Sequence, residues 1–378
     1  MLMNTYSRFP VTFARGEGNR LFDESGKSYL DFAAGIGVNS IGYANPDWVK
    51  AVSKQAATLA HTSNLYSTKP AAELAKKLAL LSGMEAVFFG NSGAEANEGM
   101  IKMARKYSKD KYGEGRNTII TLEQSFHGRT ITTLAATGQD AFHKNFDPFT
   151  PGFAHVPPDD IEALKKHEGI CAVLLEIVRG EGGVLPLSEK YLCEAAELCE
   201  KNDWLLLIDE VQTGIGRTGT WFAFQKYGIK PDALSFAKGI AGGLPLGGFI
   251  ANKKCAEVLK PGDHASTFGG NPISCAAALA TLTIIEKFMP EIESKSKKII
   301  DAFGKINGLS NARGAGLMIG ASVDAQKHGS AKALVEKLLE NGLVCLTAGG
   351  ESLRLMPPLT VSNDEIDEGL EIIGRVCG

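Results

Sequence analysis

The sequence predicts an α/β protein whose large domain contains a parallel or mixed sheet and is followed by a smaller α+β domain. At 378 residues the chain exceeds what one hydrophobic core usually supports, so two domains are expected. From about Lys69 onward, short apolar runs alternate with helical patterns, which is typical of strands covered by helices on both faces. Beyond the segment STFGGNP, residues 266–272, the pattern changes to separate strands and helices.

Helical and strand patterns follow one another along the large domain. Residues 71–81, AAELAKKLALL, place Leu74, Leu78 and Leu81 at spacings of four and three, which predicts one apolar helix face. Residues 93–108, GAEANEGMIKMARKYS, predict a second helix. Buried strands are predicted at runs rich in leucine and β-branched residues, namely EAVFFG (85–90), NTIITLE (117–123), ICAVLLE (170–176), WLLLIDE (204–210), DALSFA (232–237) and GGFIA (247–251).

The smaller domain is predicted to begin with a long helix. Asn271 is a good N-cap residue and Pro272 suits the first helical position, so the helix is expected to continue through ISCAAALATLTIIEKF, residues 273–288. Strands and helices then alternate, with strands expected at GLMIGASV (316–323), LVCLTA (343–348) and SLRLMP (352–357) and helices at AKALVEKLLENG (331–342) and DEIDEGLEIIGRV (364–376).

Charge and cysteine usage narrow the class of protein. A net charge of −3 does not suggest nucleic acid or an anionic membrane as a partner. The seven cysteines form no CxxC pair, which favours a reducing, cytoplasmic compartment. The first residues show no signal-peptide pattern, and no apolar run approaches the length that spans a bilayer. No histidine pairs with another histidine or a cysteine at ligand spacing, so no metal site is predicted.

Two charged residues lie at the ends of predicted buried strands. Lys238 follows DALSFA and precedes a glycine-rich loop, where an ammonium group is costly unless it is paired or its charge is removed. Asp209 ends WLLLIDE, and a carboxylate there is costly unless it meets a cation; an ordinary ion pair with Arg217 is the alternative. One strand–helix–strand excursion separates the two residues, so they can lie at neighbouring strand ends.

The segment GNSGAEANE, residues 90–98, leads from a strand into a helix. Backbone N–H groups and the helix dipole at such a point can hold an anion. The alternative is a simple capping box between Ser92 and Glu95, which have the required spacing. No GK[ST] follows the glycines, which disfavours a nucleoside triphosphate.

One cofactor accounts for an anion cup, a buried acid, a lysine at a strand end and a nearby aromatic residue. Pyridoxal 5′-phosphate uses a lysine to attach its aldehyde, an acid to pair with its pyridine nitrogen, a helix end to bind its phosphate and an aromatic ring to stack on its own ring. We therefore expect pyridoxal 5′-phosphate as the cofactor. A phosphate- or nucleotide-binding module without enzymatic activity would explain the glycine loops but not Lys238 and Asp209.

Seven segments in order along nearly the whole chain resemble the class III aminotransferases. They are NSGAEANE, FHGRT, GEGGV, IDEVQTGIGRTG, SFAKGIAGGLPLG, STFGGNP and LRLMPPL. The resemblance implies a dimeric enzyme of the aspartate-aminotransferase-like fold (PLP-dependent transferase type I), with a mostly parallel seven-stranded sheet. It implies an N-terminal segment (1–48) that packs with the small domain, a large cofactor-binding domain (49–270), and an interdomain helix with the small domain (271–378).

Carried over position by position, the resemblance implies a set of cofactor-binding residues. They are Lys238, which would attach the aldehyde; Asp209, at the pyridine nitrogen; Val211 and Phe126, on opposite faces of the ring; Gln212, near the ring hydroxyl; Ser92, Gly93 and Ala94, around the phosphate; and Thr267, reaching the phosphate of the other subunit. Without the resemblance, Thr267 would be only a loop hydroxyl near a helix start. Lys238 and Asp209 are the residues expected to carry catalysis.

The resemblance also implies how substrates bind. Arg129 and Arg354 would bind substrate carboxylates, for which the planar guanidinium is suited, and Ser266 joins this set. Glu181 would pair with Arg354 while an ω-amine reacts and release it for 2-oxoglutarate. The alternatives are a solvated strand-edge position for Arg354 and a surface position in a glycine-rich turn for Glu181.

Substrate identity depends on details that depart from the family pattern. DFAAGIGVNSIG, residues 31–42, resembles the members of the family that use acetylornithine, and this resemblance implies that amino donor, with ornithine, succinyl-diaminopimelate and 4-aminobutyrate as alternatives. A related aminomutase or decarboxylase would keep the lysine and aspartate without needing Glu181. Arg179 stands where the family usually has glutamine, and it either alters substrate preference or faces solvent. Tyr43 and Asn45 replace the family's two histidines in a loop that lies near the substrate end in relatives.

Overall fold

A computed structural model describes residues 2–378, which form three larger sheets and a two-stranded ribbon. The strands are β1 Phe13–Glu17, β2 Arg20–Asp23, β3 Ser28–Asp31, β4 Ala86–Gly90, β5 Thr118–Leu122, β6 Phe153–Val156, β7 Ile170–Leu175, β8 Val178–Arg179, β9 Leu185–Pro186, β10 Leu205–Asp209, β11 Ala233–Phe236, β12 Gly247–Ala251, β13 Leu309–Ala315, β14 Met318–Val323, β15 Leu343–Val344, β16 Leu346–Ala348 and β17 Ser352–Leu355.

Helices connect these strands and cover the sheets. The α-helices are α1 Ala34–Gly37, α2 Pro46–Ala56, α3 Lys69–Ser82, α4 Gly93–Tyr112, α5 Ile131–Ala136, α6 Asp140–His143, α7 Ile161–Lys165, α8 Glu189–Asn202, α9 Pro272–Phe288, α10 Ile292–Phe303, α11 Ala325–His328, α12 Ala331–Glu340 and α13 Asn363–Cys377, and 3₁₀ turns span Ala223–Tyr227, Lys238–Ala241 and Met289–Glu291. The turn α1 is irregular, because Gly35 and Ile36 have left-handed dihedral angles.

The central seven-stranded sheet has the order β4-β12-β11-β10-β7-β5-β6. Its strands are parallel except β12, which pairs antiparallel with both β11 and β4. The prediction of a mostly parallel sheet is therefore confirmed. Six of its strands coincide with predicted apolar runs, whereas β6, FAHV, went unpredicted because it is short and carries a histidine.

Helices pack on this sheet through the faces that the sequence predicts. On α4, Ala96, Met100 and Met103 are buried against the sheet, and on α3 Leu74 and Leu78 are buried. Asn271 caps α9 by accepting hydrogen bonds from the amides of Ile273 and Ser274, as expected for an N-cap residue. Burial of these apolar faces is the main stabilising contribution, at about 25 cal/mol per Å² of apolar surface.

The stretch Pro272–Phe303 is long and apolar enough to cross a membrane when judged by length and composition alone. Half of its most apolar window is buried inside the protein, and α9 packs against α2 and α3. Packing in the core thus accounts for the apolar composition of this stretch.

The first strands of the chain join the last third of the sequence. In the sheet β1-β2-β3-β15, β3 pairs in parallel with β15. The side-chain Nδ2 of Asn19 donates to the carboxylate of Glu365 at the start of α13. A second antiparallel sheet, β13-β14-β17-β16, carries Arg354 on β17 and packs against α10 and α12. The division into segments 1–48, 49–270 and 271–378 stays a prediction.

One predicted strand was wrong in extent. LVCLTA, residues 343–348, forms two short strands that belong to different sheets, because β15 pairs with β3 and β16 pairs with β17. The buried Cys345 lies at the change of direction between them. Alternation along the run does not reveal such a break, since each half is too short to establish a period of its own.

Candidate active site

The carboxyl ends of the central strands surround a cavity of about 410 Å³. Ligand sites in open α/β sheets form at this edge, where loops from several strands converge. The residues predicted for the cofactor and substrate that line the cavity are Ser92, Gly93, Ala94, Phe126, Arg129, Asp209, Val211, Gln212 and Lys238. Segments far apart in sequence are therefore brought together at one place.

Asp209, at the end of β10, is buried and fully engaged in hydrogen bonds. One carboxylate oxygen accepts from Asn97 Nδ2 at 2.7 Å and His127 Nδ1 at 2.9 Å, and the other accepts from Ser235 Oγ and the amide of Val211. Burial favours the neutral acid, but the hydrogen bond and charge of His127, with the bond from Asn97, hold the pKa of Asp209 below its usual value. The carboxylate is thus ionised at neutral pH beneath the cavity.

Neither Asn97 nor His127 was predicted from the sequence to contact Asp209. Asn97 lies one turn into α4, and nothing in its spacing distinguished it from a packing residue. His127 lines the cavity and is hydrogen-bonded to Asp209. The Oδ1 of Asn97 and the Nε2 of His127 are buried and have no hydrogen-bond partner among residues 2–378. The expected alternative for Asp209, an ion pair with Arg217, is wrong, because that guanidinium donates to the carbonyls of Leu317 and Pro357.

Lys238 follows β11 and opens the 3₁₀ turn Lys238–Ala241. Its φ is +43°, a left-handed value that is uncommon for residues other than glycine. Burial lowers the pKa of Lys238, and the carboxylates of Asp209 and Glu181 oppose the shift without cancelling it. The amine therefore loses its proton more readily than a surface lysine does, as a nucleophile or base requires.

The anion cup is predicted at the start of α4. Ser92 is the N-cap residue, and its Oγ accepts from the amide of Glu95 at 3.2 Å. The carboxylate of Glu95 accepts from the amide of Asn91 at 2.9 Å instead of that of Ser92, so only one of the two hydrogen bonds of the alternative, a capping box, is present. The amides of Gly93 and Ala94 belong to the first helical turn, where N–H groups have no partner within the helix.

The backbone of Gly93 packs closely against the side chain of Val211. A Cβ atom there would lie 2.9 Å from the methyl groups of Val211, closer than side chains approach. Glycine therefore lets the cup and the residue expected under the cofactor ring approach each other. This approach brings the backbone of Gly93 beside Val211, which lines the cavity.

Glu181 and Arg354 form an ion pair that does not itself line the cavity but contacts Gln212, which does. Their closest nitrogen and oxygen atoms are 2.7 Å apart, and the Nε2 of Gln212, which lines the cavity, donates to Glu181 at 3.2 Å. Arg354 is only 2% exposed, so the alternative of a solvated strand edge is wrong. Burial raises the pKa of Glu181, but the charge and hydrogen bond of Arg354 outweigh it, and the net pKa is below the usual value.

Of Arg129, Ser266 and Thr267, only Arg129 lines the cavity. The exposed guanidinium of Arg129 stacks over Phe142 at 3.9 Å from the ring centroid. Ser266 Oγ accepts from Asn91 Nδ2 at 3.1 Å, which links it to the cup. Thr267 is exposed and does not line the cavity within this single chain.

Glu176, which directly follows β7, is a further buried acid. Its carboxylate accepts from the amide of Phe126 at 2.8 Å and that of Gly180 at 3.3 Å, so it positions the predicted stacking ring. Burial raises the pKa of Glu176 to about 7, with smaller opposing contributions that include the charge of His127. Its position at the end of β7 was the only signal for it in the sequence.

The two departures from the family pattern differ in burial, since Arg179 is buried whereas Tyr43 and Asn45 are half-buried. Arg179 does not face solvent, because it is 5% exposed and donates to Gln124 Oε1 at 3.2 Å. The hydroxyl of Tyr43 donates to Asp31 at 2.6 Å, and Asn45 caps α2. Neither Tyr43 nor Asn45 lines the cavity.

The donor set fits pyridoxal 5′-phosphate. One cavity of suitable size is surrounded by an ionised buried acid, an amine of lowered pKa, the amides of a first helical turn and an aromatic ring. The glycine at position 93 permits a close approach that a larger residue would block. The fold and the site thus define a pyridoxal-phosphate-dependent transferase.

Comparison with known proteins gives the family. The sequence profile described as "Aminotransferase class-III" matches residues 2–377, so the chain belongs to the class-III aminotransferases, which depend on pyridoxal 5′-phosphate. The chain is 50% identical to acetylornithine aminotransferase of Haemophilus ducreyi, over 99% of this chain and 96% of the relative. It is 46% identical to the protein of that name from Caldanaerobacter subterraneus, over 99% and 96% of the two chains.

Solved structures show the same fold. Ornithine aminotransferase of Toxoplasma gondii superposes with a TM-score of 0.94 at 32% identity, covering 99% of this chain and 92% of that one. N-acetylornithine aminotransferase of Stenotrophomonas maltophilia superposes with a TM-score of 0.86 at 35% identity, covering 98% and 96%. The predicted aspartate-aminotransferase-like fold is confirmed by these similarities.

Proposed function

We propose that this aminotransferase moves the ω-amino group of N-acetylornithine to 2-oxoglutarate, giving N-acetylglutamate semialdehyde and glutamate by a ping-pong mechanism. Curated relatives that carry the name acetylornithine aminotransferase, at 42–50% identity, support the donor. Within the site, the observation that carries the proposal is the ion pair of Glu181 and Arg354 beside the cavity.

This ion pair answers a requirement of the two-substrate reaction. The ω-carbon of the donor bears no carboxylate, so an unpaired buried guanidinium next to it would be unfavourable. The keto carbon of 2-oxoglutarate does bear a carboxylate, and arginine binds it bidentately. Glu181, ionised because its pKa is lowered, neutralises Arg354 for the first substrate and can turn away for the second. Glycines at positions 180, 182 and 183 permit this movement.

The chain's own groups supply proton transfer and orientation. When bound, pyridoxal 5′-phosphate supplies an aldehyde and a ring that accepts electrons from the carbon that bears the amine. Lys238 would attach the aldehyde and, once freed, take the proton from that carbon as a general base, a role that its lowered pKa favours. Asp209 would hold the proton on the pyridine nitrogen, and His127 and Asn97 keep this carboxylate ionised and oriented.

Other residues in this proposal bind the cofactor without taking part in proton transfer. Ser92, Gly93 and Ala94 would hold the phosphate, Val211 and Phe126 would cover the two ring faces, and Gln212 would approach the ring hydroxyl. Each of them lines the cavity, which supports the assignment. Arg129, which also lines the cavity, would bind the far carboxylate of the donor, and its stacking on Phe142 orients the guanidinium.

We also propose a homodimer with shared active sites. Leu65, Tyr66 and Phe268 form an exposed apolar patch, with exposed fractions of 87%, 70% and 59%. Asn64 donates to the carbonyls of Ser266 and Gly269, so the patch is continuous with the loop that carries Thr267. Exposed apolar patches of this kind mark interfaces. Across it, Thr267 would reach the phosphate of the partner subunit, and Ser266 would contact substrate.

The cellular setting in this proposal is the cytoplasm. The seven cysteines are free thiols in the structure, and burial raises the pKa of those at positions 171, 199, 255, 275, 345 and 377. Free thiols are typical of a reducing compartment. The substrates are small molecules, and neither a nucleic acid nor a membrane is needed for the proposed reaction.

A second candidate function is favoured by one comparison. The TM-score of 0.94 to an ornithine aminotransferase leaves ornithine as an alternative donor. The two donors differ at the α-nitrogen, which is charged in ornithine and an uncharged amide in acetylornithine. Succinyl-diaminopimelate and 4-aminobutyrate are the further alternatives.

The test is a steady-state comparison of the four donors with 2-oxoglutarate as acceptor. We expect kcat/KM to be highest for acetylornithine, with the visible absorption of the lysine-bound cofactor bleached by the donor and restored by 2-oxoglutarate. A higher kcat/KM for ornithine would replace the proposed donor. Bleaching without recovery on addition of any keto acid would contradict aminotransfer and favour an aminomutase or decarboxylase.

A further inference from the structure

The backbone around Lys238 is held in an unfavourable conformation. Lys238 has φ +43°, and the turn that it opens ends at Gly242, with φ +57°. Left-handed conformations at residues with a side chain persist only where the surroundings hold them. We use the name lysine loop for residues 238–243.

Two side chains from the N-terminal part of the chain bind the lysine loop. The hydroxyl of Ser40 donates to the carbonyl of Gly239 at 2.7 Å, and the indole Nε1 of Trp48 donates to the carbonyl of Ala241 at 3.1 Å. Ser40 is 2% exposed, so its hydrogen bond does not compete with water. Both ends of the turn are thereby fixed by residues about 200 positions earlier in sequence.

Close packing reinforces the two hydrogen bonds. A Cβ at Gly239 would lie 3.3 Å from the carbonyl oxygen of Gly37, and one at Gly242 would lie 2.7 Å from the indole nitrogen of Trp48. The lysine loop therefore has little room to relax on this side. Loss of the Ser40 hydroxyl would leave the carbonyl of Gly239 without that partner in a buried place.

Ser40 also contacts the part of the chain that carries Arg354. Its carbonyl accepts from the amide of Leu359 at 2.7 Å, and Leu359 follows shortly after β17. One buried residue thus joins the lysine loop to the segment next to the proposed carboxylate-binding arginine. This position suits a residue that keeps the lysine loop and the segment next to Arg354 at a constant separation.

We propose that Ser40 is a positioning residue that holds Lys238 in its strained conformation at the cofactor aldehyde. The proposal rests on the proposed role of Lys238. It does not require Ser40 to touch cofactor or substrate, because the hydroxyl acts through the carbonyl of Gly239. Trp48 serves the same purpose at the other end of the lysine loop.

The experiment is a titration of the full-length protein, freed of cofactor, with pyridoxal 5′-phosphate, made in two backgrounds. We expect Ser40→Ala to raise Kd about fivefold when Lys238 is present, the effect of losing about one buried hydrogen bond. In the Lys238→Ala background, binding depends on the phosphate cup and Asp209 alone, and Ser40→Ala should leave Kd unchanged. A double-mutant cycle of this form isolates the coupling of Ser40 to Lys238.

Thr281→Val is the matched control. The Thr281 hydroxyl lies 3.1 Å from the Cβ position of Gly242 and is buried without a hydrogen-bond partner, so its removal should leave Kd unchanged in both backgrounds. If Ser40→Ala does not fold, Trp48→Phe tests the same coupling, because it removes the indole N–H that donates to Ala241, together with part of the ring.

Two outcomes would overturn the proposal. A Ser40→Ala protein with the wild-type Kd would show that the hydrogen bond is irrelevant to Lys238. An equal rise in Kd with and without Lys238 would show a general structural role. Failure of the proposed function gives a different result. Under the proposal, the wild-type protein shows the visible cofactor band and the Lys238→Ala protein loses it, whereas without the proposed function the wild-type protein itself would lack this band.

Discussion

Glutamine at position 181 would leave the buried guanidinium of Arg354 without its counter-ion while preserving the shape of the side chain. Removing one partner of a fully buried ion pair costs about 3–5 kcal/mol. The side chain of Glu181 is 28% exposed against 3% for Arg354, so solvent screens part of the effect. We therefore expect about 2 kcal/mol, or about 30-fold in a rate or binding constant.

The two half-reactions should respond to Glu181→Gln in opposite directions. With acetylornithine, an unmasked cation beside the reacting amine should lower kcat/KM about 30-fold. With 2-oxoglutarate, Arg354 no longer has to be released from Glu181, so the KM for this acceptor should fall. Bleaching of the visible cofactor band by the donor and its return on adding 2-oxoglutarate measure the two half-reactions separately.

Glu351→Gln is the control, because Glu351 is an exposed glutamate next to β17 and its replacement should leave both half-reactions unchanged. Equal losses in both half-reactions of Glu181→Gln would refute the reasoning, since they would indicate a general distortion of the site. No change in either would show that the ion pair is not part of the exchange of substrates.

Three further variants test other parts of the site and its support. Lys238→Ala should still bind the cofactor but lose turnover by at least about 10³-fold, and near-normal turnover in a coupled assay would remove Lys238 from catalysis. Burial raises the pKa of Glu210 to about 7, so the stability that Glu210 contributes is present below its unfolded-state pKa and is lost as pH rises through 7. Glu210→Gln keeps an acceptor for the amide of Phe224 and should flatten the fall in Tm between about pH 5 and 8. An unchanged slope of Tm against pH would contradict this assignment. Arg179→Met should lower stability by about 1–3 kcal/mol, because a buried partner of Gln124 is lost, while the donor KM changes less than about twofold; a tenfold rise in KM in steady-state assays would instead place the guanidinium in contact with substrate.

Much of the central sheet was predictable because its strands are buried on both faces and therefore read as continuous apolar runs. The prediction failed where a strand was too short to show a pattern, as at β6, or where one run served two sheets, as at β15 and β16. In both cases hydrogen bonding to neighbouring strands decides the structure, and the sequence of a single segment does not indicate which strands it will pair with.

The sequence by itself determined the chemical groups of the site and the strand ends that carry them. Lys238 and Asp209 were identifiable because each follows an apolar run in which a charge is costly, and the cup at Ser92 because glycines precede a helix start. Their convergence on one cavity followed from the rule that ligands bind at the carboxyl ends of parallel strands.

Only the tertiary structure decided the partners of these groups. Asn97 and His127 reach Asp209 from separate segments, Arg354 is buried against Glu181 instead of facing solvent, and Ser40 reaches the lysine loop from about 200 residues away. The physical reason is that hydrogen bonds and burial depend on distances between segments that the chain brings together only on folding. Local patterns report which side chains are present, whereas the pKa and orientation of each depend on these distant contacts.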